Sequence, residues 1–315
     1  MDGPAWEQVP IFYHMKISNV HSEGVFAAII QRRTTPVENH GSRDMLTMLQ
    51  NNYIMESEWE SYRLDVKIDA EAITRQAKWA GIKPGMRVAD LGCGPGKTTS
   101  LLYDLVQPGG TVVGVDGSTE RLAYAQKKYG RNGIDFIQGN LTQPLDHLGQ
   151  FDFIWVRFVL EYYLSKSFRM VENFASRLKP RGIICLLDLD HNPFNFYGIP
   201  ERLEHTFKKI MKELEEKTDF DPYIGRKLYS IVYDLGFEDI DVRVENYRVT
   251  FGKAEDLEIF NMLQKVEVVP EKIKFRFDDY QGGYEEFYQE TLAFLSDPRR
   301  FAYTPLILCR GSKPA

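Results

Sequence analysis

The run Val88-Ala89-Asp90-Leu91-Gly92-Cys93-Gly94-Pro95-Gly96-Lys97-Thr98-Thr99 constrains this chain more than any other segment. Its start has the apolar character of a strand end and its close that of a helix start, so the glycines Gly92, Gly94 and Gly96 form the joint. Glycine lacks a Cβ and tolerates positive φ, so a ligand can come close to the main chain there. Three ligand chemistries compete for such a joint. A nucleoside-triphosphate loop needs a glycine, four residues and then Gly-Lys-Ser/Thr. Gly96-Lys97-Thr98 supplies the end of that pattern, but leucine stands at position 91, where its first glycine belongs. The later run Ile184-Cys185-Leu186-Leu187-Asp188 imitates the companion Walker-B strand, yet an apolar strand ending in aspartate is common in any α/β sheet. A dinucleotide site wants Gly-x-Gly-x-x-Gly, with the third glycine packed beneath a pyrophosphate. Here Lys97 takes that place, and Asp90 sets a carboxylate where the pyrophosphate would approach.

An acidic strand end suits a cationic ligand instead. S-adenosylmethionine carries an ammonium and a sulfonium, and the glycines let the backbone pass close to it. Asp116 ends the run Val113-Gly114-Val115-Asp116-Gly117-Ser118, where a carboxylate can accept both ribose hydroxyl hydrogens. Taken alone, Asp116 is also readable as a helix N-cap or turn residue, a reading that the loop and its spacing disfavour.

From about residue 68 apolar strand-like runs alternate with helical stretches, at 87–91, 111–116, 134–137, 153–156 and 183–187. A later strand pair falls at 240–244 and 306–309. This alternation predicts an α/β fold, a doubly wound and mostly parallel seven-stranded sheet with helices on both faces. Residues 53–315 form that domain, with helical cover segments near 195–232 and 252–298. The amphipathic segment 201–217 carries Leu203, Phe207, Ile210, Met211 and Leu214 on one face. Residues 1–52 form an N-terminal extension, with two apolar runs that predict a β-hairpin followed by a linker. An exposed hairpin edge there leads to the expectation of a homodimer.

Composition removes several alternatives. The formal charge of −6 argues against a duplex-binding surface, which needs a basic face. Hydrophobic residues at 43% and the lack of low-complexity tracts argue against a disordered chain. Cys93, Cys185 and Cys309 lie far apart, so neither a disulfide framework nor a zinc knuckle is expected. With no basic-then-apolar leader and no apolar run near the roughly 20 residues of a membrane span, the expectation is a cytoplasmic protein.

The order of loop, acid and later strands resembles the class I S-adenosylmethionine-dependent methyltransferases over about residues 60–250. It is most similar to the small-molecule group of ubiquinone and menaquinone biosynthesis enzymes. The resemblance implies a Rossmann-like domain with Asp90, Gly92, Cys93, Gly94 and Gly96 along the methionine part of the cofactor, and Asp116 and Gly117 at the ribose. In Gln138-Gly139-Asn140-Leu141, Asn140 stands where family members usually carry aspartate. Its carbonyl oxygen can still accept from the adenine amino group, with Leu141 beside it. The run Phe151 to Glu161 resembles the strand that ends beneath the methionine part, which makes Arg157 either a cofactor or substrate contact or one half of an ion pair. Glu58-Trp59-Glu60-Ser61-Tyr62-Arg63-Leu64 resembles a helix folded over the cofactor, with Arg63 toward its carboxylate.

Methyl transfer is an in-line displacement at a carbon already activated by sulfur, so positioning supplies much of the rate. If the acceptor is protic a base is needed, and His191 is the first candidate, with Asp190, Glu161 and Tyr162 also near the strand ends. A loop-bonding histidine accounts for the same position. Aromatic residues around 158–163 and 194–197 favour an apolar or planar acceptor, although a core gives the same signal. Asp188 and Asp190 lack further ligands, so no metal is expected. The expected function is methyl transfer from S-adenosylmethionine to a small organic acceptor, leaving S-adenosylhomocysteine. The alternatives are a dinucleotide-dependent oxidoreductase and a non-catalytic adenosylmethionine-binding or dimerisation module.

Overall fold

Alternate residues of the central strands feed two different cores. Phe153, Trp155, Cys185 and Leu187 bury into one face, while Ile154, Val156, Ile184 and Leu186 bury into the other. Strands buried on both faces are read as continuous apolar runs, which is why they stood out in the sequence. The computed structural model describes residues 60–191 and 195–315. The expected hairpin, linker and dimer contact of residues 1–52 lie outside the described residues, as does Phe194.

The described chain opens with α1 (Glu60–Lys67) and α2 (Ala70–Ala80). Then come β1 (Arg87–Leu91), α3 (Lys97–Leu105), β2 (Thr111–Asp116), α4 (Thr119–Tyr129) and β3 (Ile134–Gln138). The second half of the sheet is built from β4 (Phe151–Arg157), α5 (Ser167–Ser176) and β5 (Leu178–Leu189). There follow β6 (Asn195–Tyr197), α6 (Glu201–Lys217), α7 (Ile224–Asp234), β7 (Glu238–Phe251), α8 (Asp256–Ile273), α9 (Gly283–Leu295) and β8 (Phe301–Ser312).

The sheet order is β3-β2-β1-β4-β5-β8-β6, with β7 paired to β8. Strands β1 to β5 are parallel, and β8 runs antiparallel to β5, β6 and β7. The seven expected strands are present, and the eighth is the three-residue β6. The connections run outward from β1 in one direction and from β4 in the other. The carboxyl ends of β1 and β4 therefore border the crevice where open α/β sheets take ligands.

Helices α2 and α3 pack on one face through Ile73, Ala77, Ala80 and Leu102. Helices α5 and α7 pack on the other through Val171, Phe174, Leu228 and Val232. A third core joins α6, α8 and α9 through Leu203, Phe207, Ile210, Val266 and Phe287. The expected cover segment near 195–232 is thus divided: α6 belongs to the cover, whereas α7 lies on the sheet. An apolar stripe of Ile224, Leu228, Ile231 and Val232 fits either layer, and packing against the sheet decides it. The cover is tied down by Arg300, 1% exposed, whose guanidinium forks onto Glu258 at 2.7 and 3.0 Å. Such planar two-point pairing fixes orientation as well as distance, so the start of α8 is held to the β7–β8 end. Among the described residues no helix is long and apolar enough to cross a membrane.

Candidate active site

The glycine loop folds over the end of β2. Gly92 N and Cys93 N both donate to Val115 O, at 2.7 and 3.0 Å, and Gly96 N donates back to Cys93 O at 3.1 Å. Gly92 and Gly96 hold φ of 84° and 85°, in the left-handed region. A Cβ at Gly92 would stand 2.3 Å from Val159 Cγ2, and one at Gly96 would stand 2.7 Å from Ala125 Cβ and 2.8 Å from Phe136 Cζ. Above Gly94 the nearest atom to such a Cβ is Leu64 Cδ1 of α1, at 4.0 Å.

Helix α1 is pinned beside this loop. Lys97 Nζ donates to Asp65 O and Ile68 O at 3.2 and 2.9 Å. The buried Asp65 carboxylate accepts from Lys128 Nζ at 2.7 Å and Tyr129 OH at 2.5 Å. Arg63, the helix residue expected to face the cofactor, lies partly buried on this element.

Asp90 is buried at the end of β1 and accepts from Thr99 Oγ1 at 2.6 Å. Burial pushes its pKa up to about 7, the Asp116 charge adds to the rise, and the Thr99 hydrogen bond opposes it. In the ligand-free protein this carboxyl therefore stabilises the fold most at acidic pH, and that contribution is lost as the pH rises from near 4 through 7. A cationic ligand favours the ionised form, so its affinity moves the opposite way. Calorimetry between pH 5.5 and 8.5 is expected to show adenosylmethionine binding tighten with pH, by up to about tenfold per unit below 7. Asp90→Asn flattens that profile. A flat profile in the parent protein counts against the assignment.

Asp116 is more occupied than its sequence context implied. Its Oδ1 accepts from Ser118 N at 2.9 Å and from Arg121 Nε and Nη2, both at 3.1 Å, while Oδ2 accepts from Gly94 N at 2.9 Å. A carboxylate offers about four lone-pair sites, so Oδ2 has room for one further donor rather than the carboxylate serving both ribose hydroxyls. Arg121, in the first turn of α4, was not anticipated.

Asn140 also differs from expectation. Its Oδ1 accepts Thr142 N and Thr142 Oγ1 at 3.0 and 2.8 Å, so the oxygen expected to meet adenine closes its own turn. Gly117 O accepts from Gln138 Nε2 at 3.4 Å, and Leu141 is buried in the sheet core. The Cys93 thiol is buried, which raises its pKa well above the usual range and makes it a packing group.

At the end of β4, the Arg157 guanidinium lies 3.9 Å above the Phe158 ring and 5.8 Å from the Tyr247 ring. Its Nε is buried with no hydrogen-bond partner. Burial lowers its pKa, against the pull of Tyr247, Asp188 and Asp90. The next turn, Leu160–Tyr162, hangs on Asp188, whose Oδ2 accepts Leu160 N and Glu161 N at 3.0 and 3.3 Å. Burial first, and the neighbouring Glu161 second, push the Asp188 carboxyl well above its ordinary range.

The three proposed acid–base residues separate. Glu161 is 4% exposed and lies within electrostatic reach of Asp188 and of Lys265 on α8. Tyr162 packs into the cover core, its ring 5.8 Å from that of Phe220. His191 sits at φ 53°, with Nδ1 2.9 Å from Asn195 Oδ1 and its ring stacked 5.5 Å from Tyr223. Asp190 forks onto Arg226 at 2.8 and 2.9 Å. Lys265 itself escaped the sequence reading. Its signal was a lysine close to the apolar residues Met262, Leu263 and Val266 of one helix. Among the described residues no three His, Cys, Asp or Glu side chains converge as a metal-binding group.

The cradle fits an adenosyl cation: a glycine-rich loop over a strand switch, with one buried carboxylate beneath it and another at the neighbouring strand end. Comparison with known proteins agrees. Residues 82–261, more than half of the chain, match the family model described as a methyltransferase domain. Juvenile hormone acid O-methyltransferase of Bombyx mori is 30% identical over 200 residues, spanning 60% of this chain and 68% of that protein. Demethylmenaquinone methyltransferase of Lactococcus lactis is 29% identical over 140 residues, 42% of this chain and 53% of that one. The structure of BH2331 from Bacillus halodurans C-125 aligns with a TM-score of 0.51 at 16% identity, over 78% of this chain and 100% of that one, a likeness of fold. The chain belongs to the methyltransferase domain family and is an S-adenosylmethionine-dependent methyltransferase that acts on a small organic acceptor.

Proposed function

We propose that the loop from Asp90 to Gly96 holds the methionine part of S-adenosylmethionine, that Asp116 binds one ribose hydroxyl, and that the acceptor lies between the ends of β4 and β5 and the helical cover. The observation that carries this reading is the pairing of a glycine-rich cradle at the switch point, in which Gly92, Gly94 and Gly96 hold positive φ, with the buried Asp90 and Asp116. When bound, the cofactor supplies an electrophilic methyl carbon on positive sulfur. The chain's own part is positional. Asp90 and Asp116 set the field for the cation, Gly92 and Gly96 let the loop seat against Val159 and Phe136, and α1 closes the loop's outer side through Leu64.

Arg63 and Arg157 are the basic groups proposed for the cofactor side, Arg157 because its buried Nε has a hydrogen bond to give. Gly117, Asn140 and Leu141 border the adenosine part. Of the acid–base candidates, Glu161 and Tyr162 are assigned to the acceptor wall. His191 is assigned to the loop after β5, since Asn195 and Tyr223 account for its position.

Calorimetry with S-adenosylmethionine, S-adenosylhomocysteine and NAD tests the cofactor assignment. The two adenosyl compounds are expected to bind and NAD to fail. Tight NAD binding without adenosylmethionine binding overturns it. A screen of acceptors with methyl-labelled cofactor then identifies the product.

A further inference from the structure

Strand β7 carries its alternation inside out. The run Asp241-Val242-Arg243-Val244-Glu245 alternates charged and apolar residues, a pattern that ordinarily turns the valines to the core and the charges to water. Here the charged side chains lie on the face that carries α2. Glu245 accepts from Arg75 and Gln76, both at 2.9 Å, Asp241 accepts from Trp79 Nε1 at 3.0 Å, and the Arg243 guanidinium lies 5.0 Å from the Trp79 ring. Alternate residues of a strand face opposite ways, so these contacts commit the valines to the other face. Val242 is exposed there, and Val244 is 68% exposed.

The register of the antiparallel strands extends this open face. Val242 and Val244 stand opposite Cys309 and Ile307 of β8, which belong to the core under α7. A Cβ at Gly225 of α7 would fall 2.9 Å from Ile307 Cγ1, and one at Gly311 would fall 2.8 Å from Val232 Cγ1. The helix therefore lies over β8 from Ile307 to Gly311 and leaves the two valines as a low step beside it. Beyond the start of α7, Tyr197 of β6, Phe301 of β8 and Phe251 of β7 form one cross-strand row, and Tyr303 and Val249 pair in the next. Tyr197 is 72% exposed and Phe251 77%. Single apolar side chains are ordinary on a surface, but a row of three aromatics continuous with valines marks an interaction site.

We propose that this face joins two copies of the chain about a two-fold axis near Tyr303, with the aromatic row of each copy on the valine step of the other. Charge, shape and area favour a second copy. The side chains of the face are uncharged, so in a molecule of net charge −6 two copies meet here without like-charge repulsion. One end of the face is raised and the other low, and a two-fold operation sets raised on low twice: Phe251 meets the partner's Val244, and Val244 the partner's Phe251. The seven exposed side chains offer roughly 700 Å² per copy, close to the ~800 Å² per partner of a standard interface.

Sedimentation of the full chain over a concentration series tests this. A monomer–dimer equilibrium is expected, with a dissociation constant of about 1–50 µM. Phe251→Glu and Val244→Lys are each expected to weaken it by at least about 30-fold, since each buries an unpaired charge twice per dimer. Combined in one chain, the two charges pair across the interface and recover at least about tenfold of that loss. Both positions are exposed in the monomer, so melting of the dilute variants is expected to match the parent. A chain carrying both Val244→Cys and Phe251→Cys is expected to form a disulfide-linked dimer on mild oxidation, far more than either single variant. The native Cys93, Cys185 and Cys309 are buried and stay out of that reaction. A parent chain still monomeric at about 200 µM overturns the proposal, whether or not it binds phosphatidylcholine vesicles through this face. So does a dimer that either charge substitution leaves intact, or cross-linking no greater in the cysteine pair than in the singles.

Discussion

Asp116→Ala is expected to destabilise the ligand-free fold by about 3–5 kcal/mol, because it removes the carboxylate that neutralises a buried guanidinium. Both Asp116 and Arg121 side chains are only 9% exposed, and their contact is a fork in which Nε and Nη2 each lie 3.1 Å from Oδ1. The same carboxylate accepts Gly94 N and Ser118 N, so the substitution also loosens the glycine loop and the start of α4. Cofactor affinity falls on top of the stability loss, by roughly 5- to 30-fold for one ribose hydrogen bond to a charged acceptor. Urea unfolding separates the two effects from calorimetric titration. The double variant Asp116→Ala with Arg121→Met should recover more than half of the lost stability, since replacing both partners of a buried pair is far less costly than removing one. It should not recover the affinity. A single variant within about 1 kcal/mol of the parent would mean that the pair contributes little.

The contrast between Asp116 and Asp90 explains what the sequence could reveal. Both acids were visible because each lies at or next to the end of an apolar strand, within two residues of a glycine. What accompanies them was not. Arg121 reaches Asp116 from five residues on, across a change from strand to helix, a relation that neither the strand period nor the helix period displays. Asn140 was recognisable as a site position, but its engagement by Thr142 is a local turn that competes with ligand binding. Helix α7 carries the same kind of apolar stripe as α6, and only packing reveals that one faces the sheet and the other the cover. Lys265 was missed for a related reason. A lysine in an amphipathic helix is ordinarily a solvated charge, and the sequence does not show that the fold withdraws this one partly from water.

Gly96→Ala, finally, is expected to damage both the fold and the cofactor cradle. Two effects coincide at this position. The φ of 85° disfavours any Cβ, and the new atom would fall 2.7 Å from Ala125 Cβ and 2.8 Å from Phe136 Cζ. Backbone strain and overpacking together predict a loss of about 2–4 kcal/mol, with the start of α3 forced away from α4 and β3 at the cofactor cradle. Adenosylmethionine affinity should fall by at least about 100-fold, a geometry effect near 2.7 kcal/mol. Gly85→Ala isolates the strain: its φ is 81° and nothing lies within 4 Å of the added carbon, so it should cost about 1 kcal/mol and leave binding intact. Gly94→Ala isolates the crevice. Its nearest neighbour, Leu64 Cδ1, is 4.0 Å away, so stability should drop by only about 1 kcal/mol while the methyl intrudes on bound cofactor. Melting and calorimetry on the three variants thus distinguish a loop that merely turns the chain from one shaped around a ligand. If Gly94→Ala and Gly96→Ala both bind adenosylmethionine as the parent does, the cradle is not where the cofactor sits.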